Sequence, residues 1–513
     1  VVFLRNKETP AHQQALQHLT PACLKRRALA RKGIDPTDYP VSESFIQRLQ
    51  VFGVEVVAQS RWLNAVYVKT TPEQVYRIGL WAEVQHIRRI TQKLKPLAGT
   101  VEEVPSSGDD PYAQCRQLGL DVLHNQGLQG AGIPIAVFDN GFRAIDTNKR
   151  FQHVFSRNQV KYTYDYVNRE TDVYNTGGHG NRVLAILAAL HPEKAFKGSA
   201  PDADYYLLHT ESDRSETQAE EFYWAEAAEW AEAQGVRIFQ TSLGYSRFDG
   251  GIGDYTYANM DGNTTIITRA ADLAASKGVL VINSAGNEGN DPWKYITAPA
   301  DGDSVLAVGA VDSRKTLADF SSLGPTADGR VKPNVVAWGS RTSTINERGE
   351  VIVGSGTSFS SPLVTGLAAC LWQAHPTASA WDVHRAIEQS GDRALKPDNR
   401  YGYGLPNASK ASAWLHHKTQ AQRFRVFPNP APGGQFSVLV STQPIQETVR
   451  LSLLDLMGRE IWHQITVLQK TEGTGPQLIS YKPTLPVGQY IIRIQSTDLN
   501  KLVLYQDKMV VLH

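Results

Sequence analysis

Cysteine is scarce in this chain: Cys23, Cys115 and Cys370 stand far apart and without metal-ligand spacing, which argues against both a zinc site and a disulfide framework. Cys370 falls in a small apolar run and reads as core filler. An excess of one charge is also missing. The 52 lysines and arginines offset 51 aspartates and glutamates, leaving +1, so neither nucleic acid nor an anionic membrane is an expected partner. No apolar run approaches the length of a membrane span, and the opening VVFLRNKETP lacks the apolar centre of a secretory signal. Either the protein is cytoplasmic or its signal was removed upstream of this numbering. The absence of His-Glu-x-x-His disfavours a zinc metalloprotease, and that of Gly-x-Ser-x-Gly an esterase or lipase elbow. No cofactor is required by any motif. Calcium stays open: the acidic loop Asp249–Asp261 could supply oxygen ligands but does not match an EF-hand pattern, so no metal residue is assigned.

What is present, over 513 residues, suggests about three domains. Residues 1 to about 100 read as strand Val1–Leu4, helix Ala11–Lys32, strands Val54–Ala58 and Ala65–Lys69, helix Pro72–Leu80 and strand Val84–Ile90. This βαββαβ order predicts a ferredoxin-like α+β unit. Lys93–Asp110 then loses periodicity and fills with Pro, Gly, Ser and acids, the composition of an exposed linker. Beyond Pro111, apolar strands alternate with helices: Ile133–Phe138, Tyr205–His209, Arg237–Ser242, Gly278–Asn283, Ser304–Ala310 and Val331–Ala337. That pattern predicts an α/β fold around a parallel sheet covered on both faces, with ligands at the carboxyl ends of the strands. From about Thr419 seven short strands between turn signals predict an immunoglobulin-like all-β sandwich. The expected boundaries are 1–107, 108–417 and 418–513.

Chemistry concentrates at those strand ends. In GSGTSFSSP (Gly354–Pro362), Ser358 lies among small residues before an apolar helix, and Pro362 is expected in its first turn. A helix starting there would aim its free N–H groups at charge developing beside Ser358. Asp139 closes the strand IPIAVFD; His179 sits in Gly-Gly-His-Gly before a helix expected over Asn181–Leu190; Asn287 follows VLVINSAG.

Taken in order, IAVFDNGF, GGHGNRV, NSAGNEG and GSGTSFSSP, together with TSLG and YGYGLPNASKA, make residues 111–415 resemble the subtilase family of serine proteases, with its Asp, His, Ser order. The resemblance implies a secreted endopeptidase acting on proteins and peptides. His179 would take the proton of Ser358, Asp139 would hold the imidazole, and Asn287 with the Ser358 N–H would bind the oxyanion. Ser242, Leu243 and Gly244 would pair with the substrate main chain, Gly244 leaving room for it, and Gly286 would line the same cleft. Asn140, Asn181, Leu184, Ala185, Phe359 and Ser360 depart from the usual family residues, and none removes a reacting atom. An inactive peptide-binding scaffold of the same fold is the alternative. The N-terminal unit resembles a subtilase propeptide, implying a self-inhibited precursor cut between about Ile90 and Pro111. The C-terminal segment, with FPNPAPGGQFSV, LLDLMGRE and LPVGQYIIRI, is similar to the sorting domain read by the type IX secretion system. That implies export through the periplasm to the medium or the cell surface.

Overall fold

The computed structural model describes residues 1–7, 17–90, 104–105, 110–440, 447–468, 477–497 and 503–512. They fall into two units, Val1–Ser412 and Ala413–His513.

The larger unit is organised on a seven-stranded parallel sheet. Across it run Val335–Trp338, Leu306–Val311, Leu280–Ser284, Ile238–Thr241, Pro134–Asp139, Asp204–His209 and Val160–Asp165. Helices cover both faces, so Leu280–Ser284 and Leu306–Val311 are buried at every position, which is why they read as unbroken apolar runs. Val160–Asp165, VKYTYD, escapes the sequence reading. It is the outer strand, largely half-buried, and alternates aromatic with polar residues instead of running apolar. Strand order reverses between Pro134–Asp139 and its neighbour Ile238–Thr241, because the chain fills one side of the first strand before crossing to the other. A crevice opens at the carboxyl ends beside such a switch point. Asp139 and Thr241 are the last residues of those two strands.

Residues 1–90 form a four-stranded antiparallel sheet in the order Glu55–Ser60, Ala65–Lys69, Val2–Leu4, Val84–Ile87, the ferredoxin-like arrangement. The opening VVFL is apolar throughout because both faces of this sheet are covered. Val2 and Leu4 pack with Val66, Phe45, Leu49 and Ile78 under the domain's own helices, Glu43–Val51 and Pro72–Gly79. Phe3, Ala65 and Tyr67 face the other way, onto Phe222, Tyr223, Ala227 and Ala270 of the helices Gln218–Ala233 and Ile266–Ser276. Glu229, from the helix Gln218–Ala233, completes the contact by accepting the N–H groups of Arg61 at 3.0 Å and Trp62 at 3.2 Å.

The helix expected over Ala11–Lys32 requires correction. Residues 8–16 lie outside the described set, and the described helix is Pro21–Leu29, capped by Thr20. Pro21 opens it, as its missing N–H allows. It does not cover the sheet; Glu43–Val51 does, with Phe45 and Leu49 one turn apart on its buried face. The predicted linker Lys93–Asp110 also lies outside the described residues, save Val104–Pro105 and Asp110. Val104 and Pro105 pair antiparallel with Val353 and Ile352.

The smaller unit is a sandwich. One sheet joins Phe424–Phe427, Phe436–Val440 and Gln477–Tyr481; the other joins Ala431–Pro432, Val503–Leu512, Gly488–Ser496, Glu447–Leu454 and Glu460–Leu468. Phe436, Val438, Leu451, Leu453, Ile492 and Met509 fill the space between them.

Candidate active site

The imidazole is placed by glycines. The helix carrying His179 is Gly178–Ala188, starting three residues earlier than its sequence suggests, so His179 stands inside the first turn. Gly177 has φ +65°, and a Cβ there would collide with the Asn140 carbonyl; one on Gly180 would meet the Gly141 carbonyl oxygen and lie 2.9 Å from Asp139 Cβ. Only bare backbone lets this turn lie against the end of the Pro134–Asp139 strand. His179 Nδ1 then donates to Asp139 Oδ1 at 2.8 Å, an oxygen that also accepts the Asn140 N–H at 2.9 Å. Asp139 is buried, and the His179 side chain is 29% exposed. Burial pulls the imidazole pKa down, but the Asp139 charge and hydrogen bond outweigh it and the net shift is upward. With Nδ1 donating to Asp139, Nε2 is left as the acceptor.

Asn140 braces this arrangement from outside. Its Oδ1 accepts the Gly180 N–H at 3.2 Å, and its Nδ2 donates to Asp213 Oδ1 at 2.7 Å. Asp213 adds a further upward push on the imidazole, against a downward one from Arg182.

Ser358 is the second residue of the buried helix Thr357–Ala374, among the N–H groups that a helix cannot satisfy itself. Pro362 is not in the first turn, as expected, but in the second, because the helix begins at Thr357. Its missing N–H deprives the Ser358 carbonyl of a helical partner. Ser242 Oγ takes that role at 3.0 Å, and Ser358 Oγ in turn donates to the Ser242 carbonyl at 3.3 Å. Gln240 holds Ser242 Oγ through Nε2 at 2.8 Å, while its Oε1 accepts from Ser361 at 3.1 Å and from Thr365. Phe359, next to the serine, stacks toward His179 with ring centroids 6.1 Å apart.

Asn287 is turned by a residue that sequence reasoning missed. Thr357 donates both its N–H, at 2.8 Å, and its hydroxyl, at 2.9 Å, to Asn287 Oδ1. The carboxamide is thereby oriented with Nδ2 as the end left to donate. The Gly286 N–H bonds Thr357 Oγ1 at 3.3 Å, tying both loops to one hydroxyl. A hydroxyl immediately before the serine was the available signal.

Ser242–Gly244 continues from the Ile238–Thr241 strand beside this cluster. The Leu243 carbonyl accepts from Asn283 Nδ2 at 3.1 Å and Ser284 Oγ at 3.4 Å. A Cβ on Gly244 would strike Thr297 Oγ1, so packing within the protein also calls for a glycine here, beside the room expected for substrate.

The acids of the loop Asp249–Asp261, to which no metal is assigned, are engaged with backbone. Asp249 accepts the Glu216 N–H, Asp254 that of Phe248, and Asp261 those of Asn263 and Thr264. Among the described residues the acids that converge are Glu211, Glu216 and Glu220. Burial, then repulsion from neighbouring carboxylates, raises the pKa of both Glu211 and Glu220 above the ordinary carboxylate range.

The structure gathers an imidazole bonded to a buried carboxylate, with Phe359 stacked toward its ring, and an oriented carboxamide at the start of the helix that carries Ser358; the Ser358 hydroxyl itself bonds the Ser242 carbonyl, and among the described residues no hydrogen bond joins it to His179. Residues of these types are those that serine-type hydrolases use. Comparison with known proteins narrows this. Residues 130–404 match the subtilase family model and residues 1–106 the peptidase S8 propeptide domain of Bacteroidota. Subtilisin DY of Bacillus licheniformis is 31% identical over 296 residues, 57% of this chain and 95% of its own length. The alkaline protease of Alkalihalobacillus alcalophilus is 28% identical over 359 residues, covering 70% and 82%. The solved structure of MycP1 from Mycobacterium smegmatis covers 63% of this chain and 89% of its own at 20% identity, with a TM-score of 0.49. The chain belongs to the subtilase family, as a serine-type endopeptidase preceded by a propeptide domain.

Proposed function

We propose that Asp139, His179 and Ser358 are the catalytic triad of this endopeptidase and that Asn287 and the Ser358 N–H bind the oxyanion. The observation that carries this reading is the 2.8 Å bond from His179 Nδ1 to the buried Asp139. It fixes the tautomer in which Nε2 can accept a proton. Ser358 Oγ turns from the Ser242 carbonyl toward Nε2 as it attacks the peptide carbonyl. The proton passes to the imidazole, Asp139 stabilises the imidazolium, and the same proton goes to the departing amine. Water then cleaves the acyl-enzyme by the reverse relay. Substrate main chain pairs along Ser242–Leu243–Gly244, with Gly286 beside it.

The N-terminal domain keeps the precursor inactive until the connecting segment between about Ile90 and Pro111 is cut. The Ser358→Ala chain is expected to stay uncut, to hydrolyse no peptide and to resist labelling by a fluorophosphonate. Processing of that variant at the wild-type rate would sink self-cleavage, and labelling would move the nucleophile elsewhere. The C-terminal sandwich is read as an export signal for the type IX machinery, taking the enzyme through the periplasm to the surface or the medium. A chain ending before Ala413 should retain hydrolysis and accumulate in the periplasm; its normal appearance outside the cell would refute the export role.

A further inference from the structure

Tyr245 follows directly on Ser242–Leu243–Gly244, the segment read as the edge for substrate main chain. That segment runs past Thr241, the last residue of its strand, so its placement depends on what its two ends are tied to. The near end is fixed by Ser242 on the Ser358 carbonyl. The far end is fixed by Tyr245. Its N–H donates to the Ala298 carbonyl at 2.9 Å, and its carbonyl accepts the Ala298 N–H at 3.1 Å. The side chain is wholly buried, and its hydroxyl lies 2.5 Å from each oxygen of the Glu211 carboxyl group. A buried hydroxyl needs a partner, and a carboxylate holds it more firmly than a neutral group would.

Glu211 is itself braced. It stands two residues beyond His209, the end of the strand Asp204–His209, which lies in register with Asp139 on one side and Asp165 on the other. The Thr210 N–H donates to the Asp139 carbonyl at 3.0 Å. His209 Nε2 donates to the Glu211 carbonyl at 2.6 Å; the other ring nitrogen, Nδ1, lies 2.7 Å from Asp165 Oδ2, with both side chains buried. Residues 209–211 therefore form a strut that begins beside the strand end carrying Asp139 and reaches Tyr245. It links the residue that holds the imidazole to the last support of the substrate edge.

Glu216 and Glu220 crowd the same carboxyl group, with oxygens within 4.8 Å. Burial and the Glu216 charge raise the Glu211 pKa, and the bond from Tyr245 draws it back. Tyr245, with Thr210 Oγ1 at 3.2 Å, supplies the donors that steady this group against its acidic neighbours.

We propose that Glu211 and Tyr245 are positioning residues: their bond sets the distance between the substrate edge and the imidazole, so that an extended peptide lying on Ser242–Gly244 presents its carbonyl to Ser358. The proposal rests on the reading of that segment as the edge and of Ser358 as the nucleophile. It gives the clasp a part in holding peptide and none in the proton transfers.

The test compares two substrates on the full chain after self-processing, with fluorophosphonate titration fixing the concentration of active sites. One is a tetrapeptide anilide, long enough to lie along the edge; the other is an acetylated single-residue ester, which has no main chain to lay there. Tyr245→Phe removes only the hydroxyl. It is expected to raise KM for the tetrapeptide by about 10-fold, the order of a hydrogen bond to a charged group, with kcat little changed and both constants for the ester as in the parent. Glu211→Ala should do the same, and Glu211→Gln, which keeps an oxygen to accept, should recover part of the loss. If Glu211→Ala does not fold, Tyr245→Phe and Glu211→Gln decide the matter. Because the two residues share one bond, combining Tyr245→Phe with Glu211→Ala should be no worse than Glu211→Ala alone. An unchanged KM for the tetrapeptide in Tyr245→Phe overturns the proposal. So does an equal loss on the ester, which would mark general damage to the fold, and so do effects that add in the double variant. Hydrolysis of the ester by Ser358→Ala would instead sink the reading of the nucleophile and leave the KM comparison standing.

Discussion

In the proposed mechanism the raised pKa of His179 sets when it can act, because a general base must be neutral to accept the serine proton. Three charged side chains bear on the ring: Asp139 and Asp213 raise its pKa, and Arg182 lowers it. Asp213 is exposed and reaches the Gly178–Ala188 turn through Asn140, so its charge can be altered without touching any atom of the proposed triad. Asp213→Asn should therefore move the acid limb of kcat/KM toward lower pH. The displacement should shrink in high salt, since the charge is exposed. An unmoved limb at low salt would remove Asp213 from the electrostatics of the site. None of this arm was legible in the sequence. Asp139, His179, Asn287 and Ser358 could be proposed from the sequence because each sits in its own short motif. Asp213–Asn140, Thr357–Asn287 and Gln240–Thr365 are pairs between segments 70 or more residues apart. Only the folded chain brings such partners together.

At the scale of elements, the Thr357–Ala374 helix shows how a proline can be used inside a helix. Pro362 costs one helical hydrogen bond and frees the Ser358 carbonyl, and Ser242 Oγ satisfies it, stitching the Ser242–Gly244 segment to the residue proposed as nucleophile. Ser242→Ala, made in a Ser358→Ala background to prevent self-digestion, should destabilise the body by about 1–3 kcal/mol through the stranded carbonyl. Adding Pro362→Ala restores an N–H four residues on and should recover part of that loss. A double variant no more stable than Ser242→Ala would break the argument. The same scale explains what the sequence concealed. The apolar pattern of Glu43–Val51 is only two core residues long, Phe45 and Leu49, and was overshadowed by the helix-rich stretch upstream. The parallel strands were legible because burial on both faces makes them continuously apolar, and the half-exposed outer strand Val160–Asp165 lacks that signature.

At the scale of the molecule, the sheet's switch point brings strand ends from distant sequence to one crevice, while the N-terminal domain covers the two helices beside it. Sulfur is distributed in a way that bears on durability. The residue after Ser358 is Phe359, which offers no thioether next to the proposed nucleophile. Cys23, Cys115, Cys370, Met260 and Met509 are all buried, and Met457, 85% exposed in the smaller unit, is the one sulfur atom open to water. Peroxide attacks exposed sulfur first, converting methionine to its sulfoxide. Hydrolytic activity should thus survive an oxidant dose that adds oxygen to Met457, with peptide mass mapping locating the adduct. An inactivation that tracked oxidation of the body would contradict this.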